Sequence, residues 1–322
     1  MKRACILAAV AAVMSAGLFA QTTRAEDLNA DPSAASQPLT LMQIANPADA
    51  AKGVKDDSKA TNLTLNAPTP ARVHTYDAPP VTVVGENQDG LISEDRIGSY
   101  GQPRWTADRR FPNTRVYVIP EGKVEFEYWV RPTFGDEVTT RTLYEIEFGL
   151  PYRLQLDIYL RSDQEGKGDY EWAQQLELRY ALADWGVIPG NPTIYLEYIR
   201  HENEADAFEP KLLLGGEIAP RWHWGVNLAM ELALGDTRER EFEINGGISY
   251  TVVDPSFSVG LEGKADFTDE QGSRGSFDDT YLIGPDVQWK PLPAVTINLV
   301  GLVGVGQGSP DGQVTLNIGY EF

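Results

Sequence analysis

The sequence predicts an all-β protein, a transmembrane antiparallel β-barrel of about twelve strands behind a disordered amino-terminal extension. Three observations predict it. Period-2 alternation of apolar and polar residues recurs from residue 123 to Phe322. No stretch after the amino-terminal 20 residues offers the run of about 18 apolar residues that a spanning helix needs. Aromatic residues gather at one set of the connections between the alternating segments.

The amino terminus reads as an export signal. Lys2 and Arg3 precede an apolar run from Ile6 to Ala20 broken only by Ser15. Cleavage is expected after Ala20 or after Ala25, with Ala25 preferred, which makes 1–25 the signal peptide. A retained membrane anchor is the alternative, and the run is short for one. Cys5 is the one cysteine and precedes the apolar run, so the mature chain owes nothing to disulfides.

Two regions of different physics follow. Residues 21–75 contain no Phe, Tyr or Trp. Such a stretch cannot bury enough apolar surface to offset its ordering entropy, so 26–95 is expected to be a disordered periplasmic linker. Residues 1–120 carry 12 basic and 12 acidic side chains, whereas 121–322 carry 15 and 35. The formal net charge of −20 therefore belongs to the second region. Between them, 96–120 holds Arg96, Arg104, Arg109, Arg110 and Arg115 against one acid, Asp108.

The strands can be taken in order. In KVEFEYWVR, Val124, Phe126, Tyr128 and Val130 share one face and Glu125, Glu127, Trp129 and Arg131 the other. In TLYEIEFGL, Tyr144, Ile146, Phe148 and Leu150 oppose Glu145 and Glu147. In RLQLDIYLR, Leu154, Leu156, Ile158 and Leu160 oppose Gln155, Asp157 and Arg161. In WAQQLELRYAL, Leu176, Leu178, Tyr180 and Leu182 oppose Gln175, Glu177 and Arg179. Further segments lie near 193–200, 211–219, 223–234, 240–252, 256–267, 280–289, 294–304 and 313–322, the weakest alternation being in 294–304. The last ends QVTLNIGYEF, alternating through Phe322. An aromatic end of this kind is sensible if the outer face of the strand meets lipid.

A soluble sandwich or lipocalin-like barrel also alternates, with the apolar face inward. Three features favour the membrane. The segments run about 9–11 residues, the length of a tilted spanning strand. Connections after even strands are mostly tight (GLPYR, APRWH, VVDPS, KPLPA), and several after odd strands are longer and acidic (SDQEGKGDYE, HENEADAFEP, TDEQGSRGSFDD). Tyr152, Trp185, Trp222, Trp224, Phe257 and Trp289 cluster at the tight side, as an interfacial girdle would.

These features together resemble the Gram-negative outer-membrane β-barrel proteins, porins and channels among them. The resemblance covers about two thirds of the chain and implies a location in the outer membrane. It also implies that Gly319, Tyr320 and Phe322 form the terminal signal read by the barrel-assembly machinery. The segment PPVTVVGE at 79–86 faintly resembles the energy-coupling box of active outer-membrane receptors. Those receptors have a folded plug and a far larger barrel, so that reading is set aside.

With the apolar set facing lipid, the other set lines the lumen. Its acids are Glu125, Glu127, Glu145, Glu147, Glu177, Glu197, Glu217, Glu231, Glu241, Glu243 and Glu262, and its bases Arg131, Arg161, Arg179 and Lys264. Buried carboxylates must be wet, paired or protonated, and excess negative charge attracts cations. Twelve strands should leave at most a narrow pore. The expected function is a narrow, cation-preferring channel or transporter for small solutes. A non-conducting structural or partner-binding barrel is the alternative.

An outer-membrane enzyme is the second alternative, and the residues argue against it. The histidines are His74, His201 and His223, and the pair His201–Glu202 points to opposite strand faces. No metal motif, P-loop or cofactor signature is present, and the acidic barrel region argues against nucleic acid. Two further expectations concern charge. Acidic groups near the outer loops (Asp163, Glu165, Asp169, Glu171; Glu202, Glu204, Asp206, Glu209) could hold divalent cations against lipid phosphates. Arg104, Arg109, Arg110 and Arg115 are candidates for a plug that pairs with lumen carboxylates, near the small residues Gly215, Gly225, Ala229 and Ala233.

Overall fold

A computed structural model describes residues 90–236 and 238–322. The export signal, His74, residues 79–86 and most of the linker lie outside the described residues. Two short strands come first, β1 (Arg96–Ile97) and β2 (Gln102–Pro103), which pair with each other. Twelve long strands follow: β3 (Val124–Phe134), β4 (Val138–Leu150), β5 (Leu154–Glu165), β6 (Tyr170–Ala181), β7 (Thr193–His201), β8 (Ala207–Ala219), β9 (Trp222–Ala233), β10 (Arg240–Val253), β11 (Phe257–Asp269), β12 (Asp278–Leu292), β13 (Val295–Gly304) and β14 (Gly312–Glu321). Each pairs antiparallel with its sequence neighbour, and β14 pairs with β3 to close the barrel. Closure leaves no strand edge unpaired, which a lipid environment requires because it offers backbone groups no partner.

Alternation decides which face goes where, and it runs opposite to a soluble core. Tyr144, Ile146, Ile158, Leu160, Leu176, Leu178 and Leu196 stand 40–52% exposed on the outside. Between them, Glu145, Glu147, Asp157 and Glu177 are fully buried inside. Apolar residues out and carboxylates in is the pattern of a membrane-spanning barrel. No helix among the described residues is long and apolar enough to cross a membrane.

The strands are longer than their sequence segments. β5 runs on to Glu165, β8 starts at Ala207 and β12 at Asp278, so much of what reads as long acidic loop is strand. The connections at that end shrink to 135–137, 166–169, 202–206, 234–239, 270–277 and 305–311. At the other end four turns are very short (151–153, 220–221, 254–256, 293–294), and one, 182–192, is long. These two ends are called here the long-loop end and the tight-turn end.

Residues 90–123 pack against the tight-turn end and then enter the barrel. The backbone amides of Ile92 and Ser93 donate to the Asp254 carboxylate at 2.5 and 2.9 Å. Residues 92 and 93 are therefore held against the barrel, although their composition places them with the linker. The Tyr100 hydroxyl donates to the Leu150 carbonyl at 2.9 Å. From Trp105 to Ile119 nearly every residue is buried, and Phe111 and Val118 are fully so.

Candidate functional site

The segment between Trp105 and Ile119 is a re-entrant loop with its apex at 112–114. Its two legs lie side by side, since Arg109 and Arg115 reach the same carboxylate, Glu147. Arg109 forks onto Glu127 at 2.8 and 2.9 Å and lies 4.1 Å above the Trp129 ring. The planar guanidinium suits both contacts at once. At the apex, the Asn113 amide donates to Glu262 at 3.0 Å and the Thr114 hydroxyl at 3.2 Å. Asn227 holds the descending leg through the amide and carbonyl of Arg115, at 2.8 and 2.6 Å.

The four candidate plug arginines take different places. Arg109 and Arg115 bind carboxylates. Arg110 instead donates to the hydroxyls of Ser258 and Thr251 on the far side of the barrel. Burial pulls its pKa down to about 10 against the opposing pull of Asp108, so it stays charged at neutral pH. Arg104 does not enter; it is exposed, the first residue of the 3₁₀ turn Arg104–Thr106 from which the loop rises into the barrel. Below them, Asp108 bridges Lys290 and Lys123. Burial opposes its ionisation, but the two ammonium groups outweigh that and hold its carboxyl below the usual range.

The barrel wall is shaped to this loop. Gly215, Gly225 and Gly247 are cross-strand partners in one row across β8, β9 and β10. A Cβ at Gly215 would stand 2.3 Å from Val116, one at Gly225 3.0 Å from Thr114 and Val116, and one at Gly247 2.7 Å from Phe111. The row is thus a groove that the loop fills. Ala229, also inward and buried, stands four residues beyond Gly225 along β9, between Lys211 and Glu243.

The long tight-end connection clasps the loop from below. Its Ala183 carbonyl accepts from the Tyr117 hydroxyl at 2.6 Å, and Trp185 packs edge-on against Trp105 and Tyr117 at 5.7 and 5.2 Å. Trp185 is therefore a contact of the loop rather than a lipid-facing girdle residue, and Phe257 is buried, while Tyr152 and Trp222 do stand exposed. His223 also faces inward, hydrogen-bonded to Glu94 at 2.8 Å with its ring against Trp105.

Two sets of inner-face side chains result. Glu125, Glu127, Glu147, Glu177 and Glu262 are buried below or beside the loop. Glu125 is held by Lys123 at 3.2 Å, and Glu177 by Arg179 and the Tyr159 hydroxyl. Glu217 lies at the tight-turn end, 3.6 Å from Arg96. Above the loop, open toward the long-loop end, is a cavity of 360 Å³ floored by Arg109, Pro112, Asn113 and Arg115. Arg131, Glu145, Arg161, Arg179, Glu197, Glu231, Glu241, Glu243 and Lys264 line it. So do Arg141, Glu209 and Lys211: Arg141 and Glu209 lie just outside the segments the sequence marks as strands, and Lys211 stands at the first position of one, where alternation turns it inward. In all, eight basic and seven acidic side chains border the cavity, so its wall is close to charge-balanced.

Two of the acids counted with the outer loops are drawn inward. Asp163 takes both Arg141 and Arg161, at 2.8 and 2.6 Å, and Glu209 takes Lys211 at 3.0 Å. His201 lies near Arg161, with Nε2 3.3 Å from its guanidinium, not against Glu202. In the terminal strand, Gly319 faces the lumen, where a Cβ would meet Glu125 at 2.6 Å. Tyr320 and Phe322 face outward and pack edge-on at 5.1 Å.

No protein-family model matches the sequence, and a search among curated proteins returned no match. Among solved structures, an outer-membrane channel of Pseudomonas putida F1 is similar at 10% identity and a TM-score of 0.49, over 64% of this chain and 98% of that one. The NanC porin is similar at 13% identity and a TM-score of 0.43, over 62% and 98%. The KdgM porin is similar at 11% identity and a TM-score of 0.43, over 62% and 99%.

Proposed function

We propose that this chain is an exported outer-membrane channel for small solutes whose lumen is closed, at rest, by its own segment 96–120. The observation that carries the reading is the arginine pair of the re-entrant loop, Arg109 and Arg115, buried on Glu127 and Glu147 inside the barrel. The apolar outer face supports the membrane location, and the export signal supports the outer rather than the inner membrane. Outer-membrane lipids surround the belt, and the assembly machinery reads Gly319, Tyr320 and Phe322.

In this reading ion preference depends on the loop. With the loop seated, the wall of the cavity is near balance. With the loop withdrawn, Glu127, Glu145 and Glu147 lose Arg109 and Arg115, and the bare carboxylates favour cations. The glycine groove supports a second reading, because so close a fit also suits a barrel that stays shut and serves a structural or partner-binding role.

Planar-bilayer recordings separate the two. The full mature chain should show small or rare openings. Deletion of residues 26–116 should give larger, cation-selective ones. Silence from both proteins would sink the channel and favour the structural barrel.

A further inference from the structure

The upper cavity carries a charge pattern that folding alone does not explain. Arg131 on β3 and Arg141 on β4 are direct cross-strand partners, both facing inward. Glu231 on β9 and Glu241 on β10 are direct cross-strand partners too, and also face inward. Like charges placed opposite each other destabilise a sheet. Acidic pairs of this kind recur on the inner face, as at Glu127–Glu145 and Glu177–Glu197, but Arg131–Arg141 is the one basic pair among the described strands.

Their positions are related. In the strand order around the barrel, β9 and β10 lie six places from β3 and β4, half of a twelve-stranded ring. The two pairs sit near the long-loop ends of their strands, so they face each other across the mouth of one cavity. Flanking groups extend the division. On the basic wall, Arg161 joins them, and the single carboxylate Asp163 is shared between Arg141 and Arg161. Among the described residues, Arg131 hydrogen-bonds to neutral oxygens alone, those of Thr315 and Asn113 at 3.2 and 3.4 Å. On the acidic wall, Lys264 is shared between Glu243 and Asp266 at 2.6 and 3.2 Å. Glu231 and Glu241 have no ion pair among the described residues. Deeper on the same wall Asn245 is 95% buried, and its amide nitrogen donates to Glu243.

We infer that this cavity is a binding site for a zwitterionic solute, its carboxylate held by Arg131 and Arg141 and its ammonium by Glu231 and Glu241. The size of the solute follows from the ring. Twelve strands about 4.8 Å apart and tilted about 40° enclose a backbone diameter of about 24 Å. Arginine and glutamate side chains reaching inward leave about 10 Å between the charges, the length of about three extended residues. The site therefore suits a short linear peptide with free ends better than a single amino acid. The proposal rests on the cavity being open to solutes from the long-loop end, and not on their passing through the barrel.

Trialanine is the probe, titrated against the full mature protein in detergent by calorimetry, with N-acetyl-trialanine, trialanine amide and the doubly capped peptide as controls. Trialanine should bind at least tenfold more tightly than the doubly capped form, and each singly capped form should fall between. The variant Arg131→Gln/Arg141→Gln should lose the preference for a free carboxylate and keep that for a free amine. Glu231→Gln/Glu241→Gln should do the reverse. Both variants relieve a like-charge pair, so both should fold, and slower migration of the unheated protein on SDS gels than a compact barrel shows would expose one that does not. Equal affinity for capped and free peptides, or no binding by the folded wild type at 10 mM, would overturn the proposal. Binding without conductance would leave this site standing and remove only the channel.

Discussion

Asp108 is where a single side chain ties loop to barrel, because it bridges Lys123 at the foot of β3 and Lys290 of β12. Its folded-state pKa is depressed, so its contribution is complete above the unfolded value of about 3.9 and is lost as pH falls below that. The seated loop should accordingly loosen below about pH 4 and not above it. Proteolytic nicking between 96 and 120 as a function of pH measures this, and Asp108→Asn should be equally sensitive at every pH. Arg109 is a different case. Removing it leaves Glu127 and Glu145 buried beside fewer cations, and breaking such a pair costs about 3–5 kcal/mol. Arg109→Ala should therefore expose the loop to protease even at neutral pH; full protection would show that the arginine is not what seats it.

At the scale of elements, the match between loop and groove matters more than any one ion pair. Gly247→Ala places a methyl 2.7 Å from the Phe111 ring and 3.1 Å from Glu262, and Phe111 is completely enclosed. Overpacking of this kind costs about 1–3 kcal/mol, which would raise the unseated fraction roughly 5- to 150-fold. Because the strain falls on the loop, the heat stability of the barrel should change little while channel openings become more frequent. A loss of barrel stability with no change in openings would mean that β10 yields instead. The connection 182–192 belongs to the same device, since Trp185 and the Ala183 carbonyl hold Trp105 and Tyr117 from below. Its length among otherwise very short turns is explained by that task.

The whole molecule presents two unlike ends. If the amino terminus and Phe322 lie in the periplasm, an even number of strands sends the connections 166–169, 202–206 and 270–277 outside. Protease applied to intact cells should cut there; cleavage confined to the tight turns would invert the topology. The same loops bear on divalent cations. With Asp163 and Glu209 committed to inward arginine and lysine partners, only the remaining acids are left to bridge cations to lipid phosphates. Chelation should then shift the thermal transition in native membranes only slightly, and a large shift would restore the bridging role.

Period-2 alternation by itself determined the strands, their antiparallel order and which side chains share a face. Each of these follows from neighbours along the chain and from the polarity of the two sides of the wall. It also drew Arg109 and Arg115 to attention, because a basic cluster before an acidic barrel is visible in one dimension. Strand ends were less legible: in Tyr170–Ala181 or Asp278–Leu292 the backbone ladder continues past the apolar belt into residues whose composition reads as loop. Pairings across the ring were not legible at all. That Arg131 and Arg141 face Glu231 and Glu241, and that Gly215, Gly225 and Gly247 form one groove for Phe111, Thr114 and Val116, depends on register and closure. Those are set by the register of each ladder and by the closing pair β14–β3, which joins the two ends of the barrel sequence, so only the closed barrel decides which charges meet and which remain for a ligand.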